Sequence, residues 1–259
     1  MITRKSPAEI EKMRRAGRIV AEVLALIESE LRPGISTGDL DRLAERHIRA
    51  AGAIPSFKGY LGAGRYGKGP HSFPASTCIS IDAEVVHGIP GDRTIRDKSI
   101  VSVDVGAILD GWHGDGARTF VVGTVPAGTQ ALVDATRLAM MAGIGAAQPG
   151  GRIEDISAAV EDVGRTHGYG IVKPFVGHGI GTKMHEEPNV PNYRTGRRGD
   201  ELKPGLCLAI EPMFTLGSGD VFVEDDGWTV STADDALAAH FEHTIAITEY
   251  GPQILTTIL

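Results

Sequence analysis

Pro33-Gly34 followed by Asp39-Leu40 recurs as Pro149-Gly150 followed by Asp155-Ile156, with one offset separating the members of both pairs. Each copy stands between two stretches of helical periodicity and is followed by strand-like sequence. Before the first copy, Ser6-Pro7-Ala8-Glu9 is a capping box with proline at the first helical position. Behind it Ile10, Met13, Gly17, Val20, Leu24, Ile27 and Leu31 recur at helical spacing, so a long amphipathic helix runs to about Leu31. Arg32-Pro33-Gly34 stops it, and a second helix runs from Ser36 or Thr37 to Gly52. Residues 127–147 and 152–167 read as a second helix pair around Pro149-Gly150-Gly151. Two readings fit this recurrence. It is a coincidence between two common helix-junction patterns, or it marks a duplicated helix–helix–strand half. Two halves so related would join their sheets into one cradle, with a site between them.

Strand-like runs cover residues 77–87, 100–109, 119–122, 206–214, 221–223, 228–231 and 241–248, and Asp225-Asp226-Gly227 is a hairpin turn. Residues 61–72 (LGAGRYGKGPHS) carry glycines without hydrophobic periodicity and read as an exposed, mobile loop. At 259 residues there is room for one large domain or two small ones. A net charge of -7 argues against binding nucleic acid by neutralising phosphates. Two cysteines, Cys78 and Cys207, suggest a reducing compartment and no disulfide framework. No apolar run approaches the roughly 20 residues that span a bilayer. The opening MITRKSPAEIEKM lacks the apolar core of a signal peptide, so a cytoplasmic location is expected.

The run SIVSVDVGAILD puts Val101, Val103 and Val105 on one strand face and Ser102, Asp104 and Gly106 on the other. An aspartate in so apolar a strand is costly unless something offsets its desolvation. A hairpin turning near Asp110-Gly111 brings Asp115 almost opposite Asp104, and two like charges so close call for a shared proton or a cation. Glu211 ends the apolar run LCLAI ahead of Pro212, and Glu242 lies inside the strand FEHTIAIT. The stretch FVGHGIGTKMHEEPNVP adds His178 and His185 among glycines that favour a loop or tight hairpin over a helix. Four carboxylates and one imidazole suit two divalent cations. Such a donor set favours Mn, Fe(II) or Co without excluding Zn.

The ordered set Asp104, Asp115, His178, Glu211 and Glu242 resembles the metal ligands of the dinuclear metallopeptidases with the pita-bread fold. The motifs VSVDVGAILDGWHGDGARTF, GHGIGTKMHEEP, LAIEP and FEHT carry the resemblance, and VVHGIP with EDDGWTVST favours the type I methionine aminopeptidases. The resemblance implies an α+β pita-bread (creatinase/aminopeptidase) fold. It is a single catalytic domain over residues 1–259, with pseudo-symmetric halves of roughly 1–123 and 124–259 and an antiparallel cradle covered by helices. It implies removal of N-terminal methionine before a small second residue, by attack of a water activated by two divalent metal ions. Asp104 would hold one ion, Asp115 and Glu242 would bridge the two, and His178 and Glu211 would complete the second. Glu211 would take the water's proton, His185 would stabilise the oxyanion, and His87 would contact the scissile amide and help protonate the departing amine. The methionine pocket would be walled by Phe57, Tyr60, Phe73, Cys78, Met184 and Trp228, with His87 and His185 at its edge. The implied partners are nascent polypeptide N-termini at the ribosome, with no membrane or specific nucleic acid, for a monomeric protein.

The resemblance departs from its pattern at residues 61–72, an insertion that either overlies the pocket mouth or is a passive surface loop. Three rival readings stand beside it: a proline-specific peptidase of the same fold, a metal-free scaffold relative and a dinuclear phosphoesterase. The first usually carries a further N-terminal domain, the second would have lost ligands, and the third would place arginines near the acids, where only Arg118 qualifies. The remaining histidines read as surface or structural, although His240 and His243 bracket Glu242 closely enough to orient ligands.

Overall fold

Helix α1 (Pro7–Glu30) starts where the capping box sets it: Ser6 Oγ accepts from the Glu9 N–H, and Glu9 Oε2 accepts from the Ser6 N–H at 2.7 Å. The computed structural model describes residues 2–61 and 72–258. Among these, α1 is followed by α2 (Thr37–Ala50), and α3 (Ala127–Ala146) by α4 (Ile153–His167). The two helix junctions repeat each other in three dimensions. Gly34 and Gly150 both take positive φ, +89° and +83°, where a side chain would strain the backbone. Each donates its N–H at 2.8 Å to a distant carbonyl, of Ile95 and Leu202 respectively. Each is followed by an isolated antiparallel bridge, Ser36 with Thr94 and Arg152 with Glu201. Coincidence between two helix ends would not reproduce the long-range partners, so the recurrence in sequence is a recurrence of architecture.

The helix pairs cover the outer faces of two antiparallel sheets. In the first, the strand Ile100–Leu109 pairs with Trp112–Val121 along its whole length, and on its other side with Thr77–Ile81 and Ile54–Pro55. Val101, Val103 and Val105 pack with Val20, Val23 and Ile27 of α1 and with Leu40 and Ile48 of α2. The alternation read from the sequence therefore turns Asp104 to the opposite, inner face. In the second sheet the order is Gly251–Ile254, His243–Thr248, Cys207–Ile210, Gly177–Gly179 and Glu186–Val190. Leu208, Ile210, Ile245 and Ile247 pack there against Met140 and Ile144 of α3 and Ile156 and Val160 of α4.

A backbone seam joins the two sheets. Glu242 donates its N–H to the Ala117 carbonyl at 2.8 Å and accepts from the Ala117 N–H at 3.2 Å. Two residues along, Thr244 Oγ1 accepts from the Asp115 N–H at 3.0 Å and donates to the Asp115 carbonyl at 2.8 Å. Acids from both halves are thereby brought to one place.

The structure corrects several strand readings. The run at residues 77–87 is two strands, Thr77–Ile81 and Glu84–Val86, because Asp82 turns the chain at φ +59°. Residues 206–214 divide at Glu211-Pro212 into Cys207–Ile210 and Met213–Thr215, which lie in different sheets; proline has no N–H to continue a ladder. The strand after the Asp225-Asp226-Gly227 turn is Val230–Thr232, so Trp228 precedes it. Glu242 stands just ahead of His243–Thr248 rather than inside it. Most of the loop expected at residues 61–72 lies outside the described residues. Its flanks are pinned together: Gly59 donates to the Phe73 carbonyl and Phe73 donates to the Tyr60 carbonyl, each at 2.9 Å.

Candidate metal centre

Asp104 and Asp115 come from one hairpin, whose turn is made by Asp110 and Gly111 at φ +51° and +80°. Those mirror-image turn angles match the twist of the flanking strands. The register pairs Asp115 with Gly106 and Asp104 with Ala117, so the two acids are offset diagonally on one face rather than directly opposed. Their carboxyls still meet. Burial raises both, Asp104 to about 7 and Asp115 well above the usual range, and a hydrogen bond between them favours the charged form of Asp104. His178 sits at a bulge in the strand Gly177–Gly179. Glu211 follows the end of Cys207–Ile210, and Glu242 precedes His243–Thr248.

These five side chains converge. Asp115, His178 and Glu242 each offer a ligand atom within 4.8 Å of the others. His178 Nε2 is 3.5 Å from Glu211 Oε1 and 4.0 Å from Asp115 Oδ2. His178 Nδ1 lies 2.9 Å from the Gly179 carbonyl, an acceptor only, so the ring proton sits on Nδ1 and the Nε2 lone pair faces the acids. Burial lowers the His178 pKa to about 3, which keeps that lone pair free. Burial also raises Glu211 to about 8 and Glu242 well above its ordinary value, with the Asp115 charge adding to the latter. Asp104 Oδ1, Asp115 Oδ1, Glu242 Oε1 and His240 Nε2 are buried without a hydrogen-bond partner.

Orphaned acceptors in a cluster of mutually repelling carboxylates are what a bound cation would satisfy, since a cation supplies the charge and the coordination together. The donor set fits hard or borderline divalent ions, having oxygen ligands with one imidazole and no thiolate. Cys78 stands across from Asp104 in the ladder, and burial together with the Asp104 and Asp115 charges keeps its thiol protonated.

Beside the acids lies an apolar cluster. Phe57, Phe73, Cys78 and Met184 are buried together, with Tyr60 and Trp228 packed against them. The Phe73 ring stands edge-on to Trp228 at 5.2 Å and to Phe57 at 6.5 Å. Two histidines edge this cluster. His185 is solvent-exposed yet ringed by protein; its ring centroid lies 4.3 Å from that of His178, and its Nδ1 is 2.7 Å from the Tyr60 hydroxyl. His87 takes φ +61°, uncommon for a residue with a side chain, and its ring stands edge-on to Phe175 at 5.5 Å and to Trp228 at 6.5 Å. Burial, with lesser contributions from His240 and His185, lowers its pKa to about 4.

Some supporting residues escaped the sequence reading. Thr244 holds the Asp115 backbone, and Thr119 Oγ1 accepts from the His240 N–H and donates to the His240 carbonyl. Thr244 shares alternation with Glu242, a signal that was present. His240 Nε2 stands 3.7 Å from Glu211 Oε2, so His240 faces a site acid other than its neighbour in sequence. His243 turns away to Thr256 Oγ1 at 2.8 Å. Arg118 also points away, pairing with both carboxylate oxygens of Glu28 at 2.9 Å, which removes the arginine a phosphoesterase would want.

Comparison with known proteins agrees with this geometry. Residues 11–249 match the model of metallopeptidase family M24. The chain is 48% identical over 257 residues to a methionine aminopeptidase of Clostridium acetobutylicum, covering 99% of each. It is 45% identical over 258 residues to methionine aminopeptidase 1 of Bacillus subtilis, covering all of both. The crystal structure of a methionine aminopeptidase from Thermotoga maritima superposes with a TM-score of 0.94 at 39% identity, covering 100% of each chain.

Proposed function

We propose, from the premise that this chain belongs to metallopeptidase family M24 and has its pita-bread fold, that it removes the N-terminal methionine from peptides and nascent proteins with a small second residue. The observation that carries this reading is a cluster of buried acids that have no cationic side-chain partner among the described residues and that stand beside an apolar cluster. Membership of a metallopeptidase family makes the enzyme a user of divalent metal. The finer reading is two ions of Mn, Co, Fe(II) or Zn, held by Asp104, Asp115, His178, Glu211 and Glu242. Bound there, they would supply a water acidic enough to attack an amide at neutral pH.

The chain's own groups do the rest. Glu211 takes a proton from the attacking water; it is half-buried at the edge of the cluster, with His240 behind it. In this reading the Tyr60 hydroxyl donates its hydrogen bond to His185 Nδ1, 2.7 Å away, which leaves the His185 Nε2–H as a donor to the carbonyl oxygen and the oxyanion it becomes. His87, held neutral by burial, accepts from the scissile amide N–H, and the proton that Glu211 took from the water passes to the departing nitrogen with His87 beside it. Phe57, Phe73, Cys78, Met184, Tyr60 and Trp228 suit a flexible thioether, for which sulfur and aromatic edges are favourable neighbours.

The catalytic unit is a single domain whose halves divide near residues 123 and 124, working as a monomer on chains emerging from the ribosome in the cytoplasm. Among the described residues, no helix is long and apolar enough to cross a membrane. Release of free methionine from Met-Ala-Ser with added Mn(II) or Co(II) tests the activity. Asp104→Asn is expected to abolish it while leaving the fold intact by circular dichroism. Release that persists undiminished in Asp104→Asn would overturn the ligand set, and a wild-type protein that releases nothing with any of the four metals would overturn the activity.

A further inference from the structure

Residues 3–5 lie against the loop that carries Met184 and His185. That loop closes the hairpin between Gly177–Gly179 and Glu186–Val190, and Glu186 directly follows His185. Lys5 Nζ is 2.7 Å from Glu186 Oε2, with the two side chains 4% and 11% exposed. Thr3 Oγ1 donates to the same oxygen at 2.7 Å and accepts from Lys5 Nζ at 2.9 Å. The other oxygen of Glu186 accepts from the Lys183 N–H at 3.2 Å, so one carboxylate fastens both sides of the loop. Burial opposes the charge on Glu186, but the hydrogen bonds from Lys5 and Thr3 outweigh it and hold the carboxyl below its usual range.

The surroundings are fitted to this arrangement. A Cβ on Gly181 would stand 2.5 Å from Lys5 Cε and 2.6 Å from Glu186 Oε1, so a side chain there would push the ion pair aside. Lys5 is fixed in turn by donating its backbone N–H to the Gly205 carbonyl at 2.7 Å. The opposite side of His185 is held by Tyr60 and by the His178 ring. A buried ion pair is a poor way to gain stability, because desolvation offsets most of the attraction, but it fixes register well.

We propose that Lys5, acting through Glu186, is a positioning residue that sets the His185 imidazole and the Met184 side chain. The assignment of tasks to those two rests on the function proposed above. Displacing a catalytic group by about 1 Å can cost on the order of 10²-fold in rate. Among the described residues the hydrogen bonds of the Lys5 side chain go to Thr3 and Glu186, so replacing that side chain acts through the loop.

Full-length Lys5→Met, Glu186→Gln and the double variant test this, loaded with Mn(II) for turnover of Met-Ala-Ser and with diamagnetic Zn(II) for ¹⁵N NMR of the histidine rings. Each single variant is expected to lower kcat about 10- to 100-fold. KM should rise less, the double variant should be no worse than the poorer single, and the His185 ring resonances should shift while those of His178 stay. Values of kcat and KM within about twofold of wild type, with only Tm lowered, would make the pair merely structural and overturn the proposal. Should Lys5→Met not fold, Glu186→Gln and Thr3→Ala carry the same test, with unchanged kcat again overturning it. A wild-type protein that releases no methionine would sink the activity instead, and the His185 resonances would then decide this inference by themselves.

Discussion

Glu161 and Glu242 are both almost wholly buried, 5% and 2% exposed, and the fold answers the two burials in opposite ways. Glu161, on α4, meets Arg165 at 2.8 Å and Arg194 at 3.1 Å and accepts the Arg194 N–H as well. Burial alone would raise its pKa, but those bonds outweigh it and the carboxyl is held low. Glu242 has Asp115, Glu211 and Asp104 as charged neighbours, and burial together with those charges drives it high. Stability explains the first acid entirely. It does not explain the second, whose burial among like charges costs the fold something that a cation in the proposed site would offset. Paired acids thus mark construction, and unpaired ones mark chemistry.

The most severe way to probe the contrast is to neutralise each glutamate. Glu242→Gln should lower kcat/KM on Met-Ala-Ser by at least about 10²–10³-fold, the scale set by losing one preorganised electrostatic group. The chelator-stripped variant should nevertheless be as stable as stripped wild type at pH 4 and more stable at pH 8, since an amide avoids the ionisation that burial resists. A stripped variant less stable than wild type at pH 8 would show that the carboxylate has a structural partner after all.

A smaller effect follows from pH alone. Asp104 and Glu211 are raised to about 7 and about 8, above unfolded values of roughly 4. Between those limits the folded metal-free chain holds protons that the unfolded chain has released, so their contribution to stability falls as pH rises from about 4 to 8. In the proposed site, divalent ions would replace those protons. The Tm difference between Mn(II)-loaded and chelator-treated protein should therefore widen across that range, and calorimetry at pH 5, 6, 7 and 8 will show it. A constant difference would contradict the account. At Glu161 the sign is reversed: its stabilisation is present above the unfolded value and lost as pH falls through the lowered folded one.

The mildest expected change is Glu161→Gln, which should cost about 1–3 kcal/mol of stability. Arg165 and Arg194 are exposed enough for water to take over, being 70% and 42% accessible at their side chains. Denaturant titration measures the cost, and kcat/KM should stay within about twofold. A larger loss of activity would mean that α4 and the loop at Arg194 reach the reaction centre.

Much of this was legible from the order of residues. Asp104 announced itself as an acid in an apolar strand, and the repeated Pro-Gly junctions opened the reading of a duplicated half beside that of coincidence. Neither signal depends on distant partners, which is why a linear reading finds it. What escaped was long-range or irregular. Thr244 finds the Asp115 backbone, and Lys5 finds Glu186, only once the fold has closed. Strand breaks at Asp82 and at Glu211-Pro212 were misread because apolar runs continue through them. Yet proline has no N–H to continue a ladder, and that rule marks the second break. Residues 61–72 stand mostly outside the described residues, and the idea that they overlie the pocket mouth is a proposal that deletion of residues 61–69 would test.

The paired backbone bonds between Gly59, Tyr60 and Phe73 have an evolutionary consequence. They form a closed stem, so the entropy of bringing its ends together is met by the stem's own bonds, whatever the number of residues it carries. Doubling the length of a loop costs only about 0.6 kcal/mol more. Descendants can therefore lengthen or shorten the chain at this point in small, nearly neutral steps, and sample new sequence beside a reaction centre whose geometry stays inherited.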